Sequence, residues 1–354
     1  MTPVNPNIEA FIKLGVFLGE FTESIDSNTI KNPTNNPRFS KLQDTLETAR
    51  HHNGWFTKDN LIHALASWSN VLSAENLNRW LSKYELSENR AKRVALVLAG
   101  NIPMVGFHDL LTVLVTGNTA VVKLSSNDTL LLPVLMEYLS DIHPEYANKI
   151  FFTKERLQDF DAVIATGSNN TARYFEYYFG KKPNIIRKNR NSIAVLSGKE
   201  SEAELSALGE DIFRYYGLGC RSVSKLLVPK GYSFDAFFTA MYPHNEIINQ
   251  HKYANNYDYN KAVYLMSEFK ILDNGFLMLK EDESYASPIA TIFYEEYDSL
   301  EAVKSKIKND REAIQCVVAN GLFPDEIEFG KTQIPELWDY ADGVDTVEFL
   351  LKTS

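Results

Sequence analysis

The chain has 354 residues, 44% of them hydrophobic, and a formal charge of −10 from 36 basic and 46 acidic side chains. That length and apolar content provide for two domains with buried cores, and an acidic surface repels phosphate backbones, which argues against a nucleic-acid partner. Two cysteines, Cys220 and Cys316, are too few for a disulfide framework, and no apolar run approaches the ~18 residues of a membrane span. The start, Met-Thr-Pro-Val-Asn-Pro-Asn, lacks the basic-then-apolar order of a signal peptide, so a cytoplasmic globular protein is expected.

Residues 1–90 read as a helical N-terminal region. Ile8, Phe11, Ile12, Val16 and Phe17 recur at helical spacing, as do Leu61, Leu65, Trp68, Val71 and Leu72. The Asn- and Pro-rich stretch 27–38 between them reads as a loop. From residue 91 the pattern changes to strands over 93–99, 119–123, 149–152 and 161–165, separated by helical segments over 106–115 and 127–140. A further helix, opened by Thr166-Gly167-Ser168, runs through Phe179. Strands alternating with helices of this length indicate βαβ units and a parallel sheet, buried on both faces. A second α/β block begins near Ser192, with a helix over 203–216, a Gly217-Leu218-Gly219-Cys220 turn and a strand over 224–228. The acidic tail ends in the apolar run 347–351, an edge strand or a helix. The expected class is α/β, with two doubly wound domains: dinucleotide-binding over 91–195 and catalytic over 196–322. A C-terminal segment, 323–354, would serve oligomerisation or return to the first domain.

Cys220 stands in Tyr216-Gly217-Leu218-Gly219-Cys220-Arg221-Ser222. Two glycines ahead of a thiol suggest a tight turn that opens it to substrate, and neighbouring Arg221 is a candidate for lowering its pKa. Residue by residue, the alternative is a buried structural cysteine. Cys316, among the strand-like neighbours Ile314, Val317 and Val318, reads as core. Asn101, after a buried strand, is either an oxyanion donor at the carboxyl edge of a sheet or a helix cap. Lys123, followed by Ser125 and Ser126, either holds ribose and phosphate oxygens or is a surface lysine. Gly167 and Ser168 precede a helix N-terminus, where N–H groups favour phosphate. Neither a Gly-x-Gly-x-x-Gly nor a Gly-x-x-x-x-Gly-Lys-Ser/Thr fingerprint occurs. The seven histidines lack metal-ligand spacing, so no metal is expected. His108 is a candidate base or, more simply, a helix-surface histidine.

Taken in order, these elements resemble the aldehyde dehydrogenase superfamily over roughly residues 91–325. Asn101-Ile102-Pro103 is similar to its Asn-Phe-Pro oxyanion segment, and Gly117-Asn118-Thr119-Ala120-Val121-Val122-Lys123-Leu124-Ser125 to its Gly-Asn-Thr-Val-Val-Val-Lys-Pro-Ser run. Ala165-Thr166-Gly167-Ser168 is similar to its pyrophosphate turn, and Ser287-Pro288-Ile289 to its downstream Gly-Pro-Val. Cys220 falls where the catalytic cysteine is expected. The resemblance implies catalytic Cys220 and Asn101, and a cofactor held by Lys123, Ser125, Ser126, Gly167, Ser168 and Pro288.

The departures refine this. The stretch Arg187-Lys188-Asn189-Arg190-Asn191 stands where hydrolytic members carry Glu-Leu-Gly-Gly-Lys, so the glutamate that activates water is missing. This is the pattern of acylating, CoA-linked members. Segments 216–224 and 331–343 bring the chain closest to the long-chain acyl reductases of bacterial luminescence operons (LuxC-type) and their non-luminous relatives. Ser126 replaces a ribose-binding glutamate, which removes repulsion of a 2′-phosphate and favours NADPH over NADH; Ser284 aligns with a second such glutamate, and whether neighbouring Glu283 compensates is left open. The resemblance thus implies acyl-CoA reduction to an aldehyde through a Cys220 thioester, with release of CoA. The alternatives are a hydrolytic NAD(P)-dependent aldehyde dehydrogenase and a non-catalytic scaffold of the same fold. A homo-oligomer is expected by resemblance, and an acyl-activating partner enzyme by analogy.

Overall fold

A computed structural model describes residues 6–26, 36–86 and 89–353. The chain divides into two compact units, one formed by residues 1–188 and 336–354 and the other by 189–335.

The first unit begins with four helices, α1 (Pro6–Asp26), α2 (Pro37–His52), α3 (Lys58–Val71) and α4 (Ala74–Leu81). Asn36 caps α2 by accepting from Arg38 N–H, and Ser73 caps α4 by accepting from Asn76 N–H. The stretch read as a loop lies, over 27–35, outside the described residues; its last two residues, Pro37 and Arg38, are helical, because Pro at the first position suits a helix start. The apolar stripes of α1, α3 and α4, including Phe11, Leu14, Leu61, Leu65 and Trp80, pack into one core with the sheet that follows.

That sheet comprises β1 (Arg93–Val97), β2 (Thr119–Lys123), β3 (Ile150–Phe152), β4 (Ala162–Thr166) and β5 (Asn184–Arg187), in the order β3-β2-β1-β4-β5, all parallel. Helices α5 (Phe107–Val115), α6 (Leu131–Ile142) and α7 (Asn169–Phe179) supply the crossovers. Residues 94–96, 120–122 and 162–165 are all buried, as strands covered on both faces must be. The tail returns here: α12 (Thr346–Lys352) forms from the run 347–351 and buries Val347 and Leu350 in the same core.

The second unit holds a six-stranded sheet of β6 (Asn191–Val195), β7 (Val223–Pro229), β8 (Ile271–Asp273), β9 (Met278–Glu281), β10 (Thr291–Tyr297) and β11 (Ile314–Val318). Its order is β11-β6-β7-β10-β9-β8, with β8 antiparallel to β9 and every other pair parallel. Helices α8 (Glu202–Phe213), α9 (Asp235–Met241), α10 (His251–Met266) and α11 (Leu300–Asn309) accompany it. A Ser201/Glu204 capping box starts α8.

Two boundaries differ from the sequence reading. A division at residue 195 would give β6 to the first domain, yet β6 pairs with β7 and β11 of the second sheet. Position in the chain does not reveal which sheet a strand joins; its hydrogen-bond partners do. The segment 323–354 is also divided, with 323–335 in the second unit and 336–354 in the first.

Candidate functional site

In the first unit, the residues singled out by sequence gather at the carboxyl edge of the five-stranded sheet. Asn101 follows β1 and is exposed, Lys123 ends β2 with Ser125 and Ser126 beyond it, and Gly167 and Ser168 follow β4. Chain order runs outward from β1 to β2 and β3 on one side and to β4 and β5 on the other. The loops after β1 and β4 therefore flank the switch point where open α/β sheets take ligands.

The loops are built from small residues at close range. A Cβ added to Gly100 would lie 2.7 Å from the Ser125 Cβ, so only glycine permits this approach of the β1 and β2 loops. Buried Asp128 joins them again, accepting from Met104 N–H at 3.4 Å and from Leu131 N–H at 3.4 Å. Burial raises its pKa, and these donors oppose that rise. Lys123 directs Nζ to the Glu155 carbonyl at 3.4 Å. Ser168 caps α7 by accepting from Thr171 N–H at 3.2 Å, whereas the Gly167 N–H donates to the Arg187 carbonyl at 3.2 Å. Gly167 therefore offers proximity rather than its amide. Lysine, hydroxyls and an eleven-residue helix opened by a serine cap make an edge suited to an anionic dinucleotide.

His108 is not the surface histidine of the simpler reading. Its Nε2 lies 2.9 Å from the Leu337 carbonyl, and its ring packs against Trp80 and Tyr340. Burial lowers its pKa. These ties hold the returning tail, as do Trp80 Nε1 donating to Tyr340 Oη at 2.6 Å and Tyr84 Oη donating to Asp345 at 2.5 Å. The stretch 187–191, which carries no carboxylate, opens on buried Arg187, which forms an ion pair with Asp109 of α5 and reaches the Thr346 hydroxyl at 3.3 Å.

In the second unit, Cys220 and Pro288 share the amino edge of the sheet. Cys220 lies just ahead of β7 and Pro288 just ahead of β10, and these strands are parallel neighbours. The expected helix over 203–216 stops at Phe213. Tyr215, Tyr216 and Gly217 then take left-handed conformations with φ of 54°, 59° and 73°. The two tyrosines cost about 1 kcal/mol or more each in this region. Ser222 N–H donates to the Gly219 carbonyl at 3.0 Å, closing the turn that leaves Cys220 exposed. Cys316 is buried in β11, as its neighbours predict.

Side chains that sequence reasoning missed hold this edge. Buried Ser192 of β6 donates to the Cys220 carbonyl at 2.9 Å. On β7, Ser224 donates to the Tyr285 carbonyl at 2.8 Å. Lys225, wholly buried, gives Nζ to the carbonyls of Asp282 and Glu283 at 3.1 and 2.7 Å and to Glu295 at 2.6 Å. Asn260 of α10 donates to the Ile289 carbonyl at 2.9 Å. The segment carrying Pro288 is thus pinned by its carbonyls. A lysine inside a sequence strand was the one legible signal, since burying it requires partners. Arg221, the candidate for lowering the thiol's pKa, gives Nε to the Thr332 carbonyl at 2.5 Å.

Comparisons place these features in a family. A family model described as "LuxC: Acyl-CoA reductase (LuxC)" matches residues 34–237, more than half of the chain. Among solved structures, aldehyde dehydrogenase 21 from Physcomitrella patens, in complex with the reaction product succinate, is similar with a TM-score of 0.59 and 13% identity. The match covers 88% of this chain and 76% of that one. An aldehyde dehydrogenase from Bartonella henselae is similar with a TM-score of 0.57 and 14% identity, over 89% and 82% of the two chains. AldA, an indole-3-acetaldehyde dehydrogenase from P. syringae, has a TM-score of 0.58 and 13% identity, over 89% and 72%. No curated protein matches. At these identities the structures establish an aldehyde dehydrogenase-like fold, and the family model establishes the rest: the chain belongs to the LuxC acyl-CoA reductase family.

Proposed function

We propose that this protein reduces an acyl-CoA, with a fatty chain favoured by the family, to the aldehyde through a thioester on Cys220, with NADPH as reductant. The observation that carries this reading is the exposed Cys220, held open by a turn of three left-handed residues in a chain whose other cysteine is buried. Its thiolate would attack the acyl carbonyl, and the C–S bond to CoA breaks as CoA leaves as a thiolate. The Cys220 N–H and the Asn101 amide are the assigned donors to the oxyanion. NADPH, when bound, supplies the hydride that reduces the thioester carbon. Collapse of the thiohemiacetal then expels the Cys220 sulfur and frees the aldehyde. Over the cycle one proton is taken up and CoA is released.

Lys123, Ser125, Ser126, Gly167 and Ser168 are assigned to the cofactor in the first unit, and Pro288 in the second. Two structural neighbours hold NAD+, which supports a nicotinamide cofactor. Ser126, where a ribose-binding glutamate would repel a 2′-phosphate, supports NADPH. The absence of a carboxylate over 187–191, with Arg187 spent in a buried ion pair, favours acyl exchange over hydrolysis. A cytoplasmic setting, a homo-oligomer and an acyl-activating partner enzyme complete the reading. Among the described residues, no helix is long and apolar enough to cross a membrane.

The test is incubation with labelled acyl-CoA, combined with NADPH oxidation across acyl chain lengths. Label should attach to the wild type and be lost in Cys220→Ala, with turnover falling about 10⁴-fold or more. Label retained in Cys220→Ala, or NADP⁺-dependent carboxylate formation without CoA, would end the proposal.

A further inference from the structure

We infer that residues 329–333 form a strap that sets the nucleophile turn, with Asp211 as its anchor and Thr332 and Arg221 as positioning residues. The inference rests on Cys220 being the nucleophile.

Asp211 lies near the end of α8 and is wholly buried. Its carboxylate accepts from Gly330 N–H at 2.6 Å, Thr332 N–H at 2.9 Å and the Thr332 hydroxyl at 2.8 Å. Burial disfavours the charged carboxylate and pushes its pKa up, while the three donors act against this. The strap also lies directly on the helix. Gly330 has φ of +80°, and a Cβ there would meet the Ala207 Cβ at 3.1 Å and the Ala207 carbonyl oxygen at 3.2 Å. Thr332 and Gln333 are buried with it.

Two ties run from the strap to the residues after Cys220. The Thr332 carbonyl accepts from Arg221 Nε at 2.5 Å, and Gln333 Nε2 approaches the Ser222 hydroxyl at 3.4 Å while donating to the Thr332 hydroxyl at 3.1 Å. The Ser192 hydroxyl of β6 holds the Cys220 carbonyl itself. Cys220 therefore sits between a backbone fixed by β6 and a side chain fixed by the strap. Arg221 serves this anchoring rather than acting as the thiolate's counter-ion. A shift of about 1 Å in a nucleophile can slow reaction by orders of magnitude, which is reason enough for a buried carboxylate here.

The experiment measures single-turnover acylation of Cys220 by labelled acyl-CoA and the pH profile of Cys220 alkylation by iodoacetamide, on the full chain with Cys220→Ala as blank. Thr332→Val keeps the shape and the N–H but removes the hydroxyl. It should slow acylation about tenfold with the midpoint of the pH profile unmoved. Thr332→Ser should restore the rate to within about twofold. Arg221→Gln should behave like Thr332→Val, and the double variant should be no slower than the slower single one. Acylation of Thr332→Val at the wild-type rate would overturn the strap, as would a raised midpoint in Arg221→Gln, which would make Arg221 the counter-ion. An unacylated wild type would refute the nucleophile reading instead, leaving the alkylation profiles to judge the strap.

Discussion

The two sheets carry their candidate residues on opposite edges and hold them differently. At the carboxyl edge of the five-stranded sheet, Asn101 and Ser126 are exposed, and the loops are shaped by the glycine at 100 and by Asp128 beneath them. At the amino edge of the six-stranded sheet, Cys220 is exposed but its surroundings are pinned by Ser192, Arg221, Ser224 and Lys225. The difference follows from the tasks assigned to them. A cofactor enters and leaves each cycle, so its loops need open donors and room. A nucleophile must meet a carbonyl at one distance and angle, so its turn is held by buried and half-buried polar groups tied to neighbouring carbonyls.

The largest effect that would break this contrast belongs to Lys225. Lys225→Met removes the buried ammonium that pairs with Glu295 and holds the Asp282 and Glu283 carbonyls, and should cost about 3 kcal/mol of stability by urea unfolding. A loss near zero would show that the amino edge does not depend on its buried ties.

Ser126→Glu probes the open edge. Restoring a carboxylate should shift the preference for NADPH over NADH by about tenfold towards NADH, with stability unchanged because the position is exposed. Unaltered cofactor kinetics would remove Ser126 from the site.

The smallest effect is a pH dependence in the returning tail. Burial lowers the pKa of His108, so the folded state favours the neutral ring. Above the unfolded value of about 6.5 the ring is neutral in both states; as pH falls below it and through the folded pKa, stability is lost. His108→Gln should reduce this acid-side loss in thermal melts from pH 8 to 5, the range over which His is the main titrating side chain, and leave the share of His244, whose pKa burial also lowers. An identical slope in the variant would place the titration elsewhere.

Much of the fold was legible because it rests on local pattern. Continuous apolar runs marked β1, β2 and β4, turn residues marked their ends, and Thr119–Lys123 was read to the residue. The helix over 203–216 was read too long, since nothing local announces that Tyr215 and Tyr216 turn left-handed; the surrounding structure imposes it. Cys220 stood out by its glycines and Cys316 by its apolar neighbours, but the acceptor that Arg221 Nε finds was not legible beside it. That acceptor, the Thr332 carbonyl, lies 111 residues away.

The sequence by itself determined the strand–helix alternation, the two thiols' contrasting settings, the missing glutamate and the family resemblance, all of which reside in residue identity and short spacing. Only the tertiary structure decided which sheet β6 joins, where the tail returns, and how Asp211, Lys225 and Arg187 are satisfied. Those are pairings between distant segments, fixed by the need of every buried polar group for a partner, and no local pattern records them.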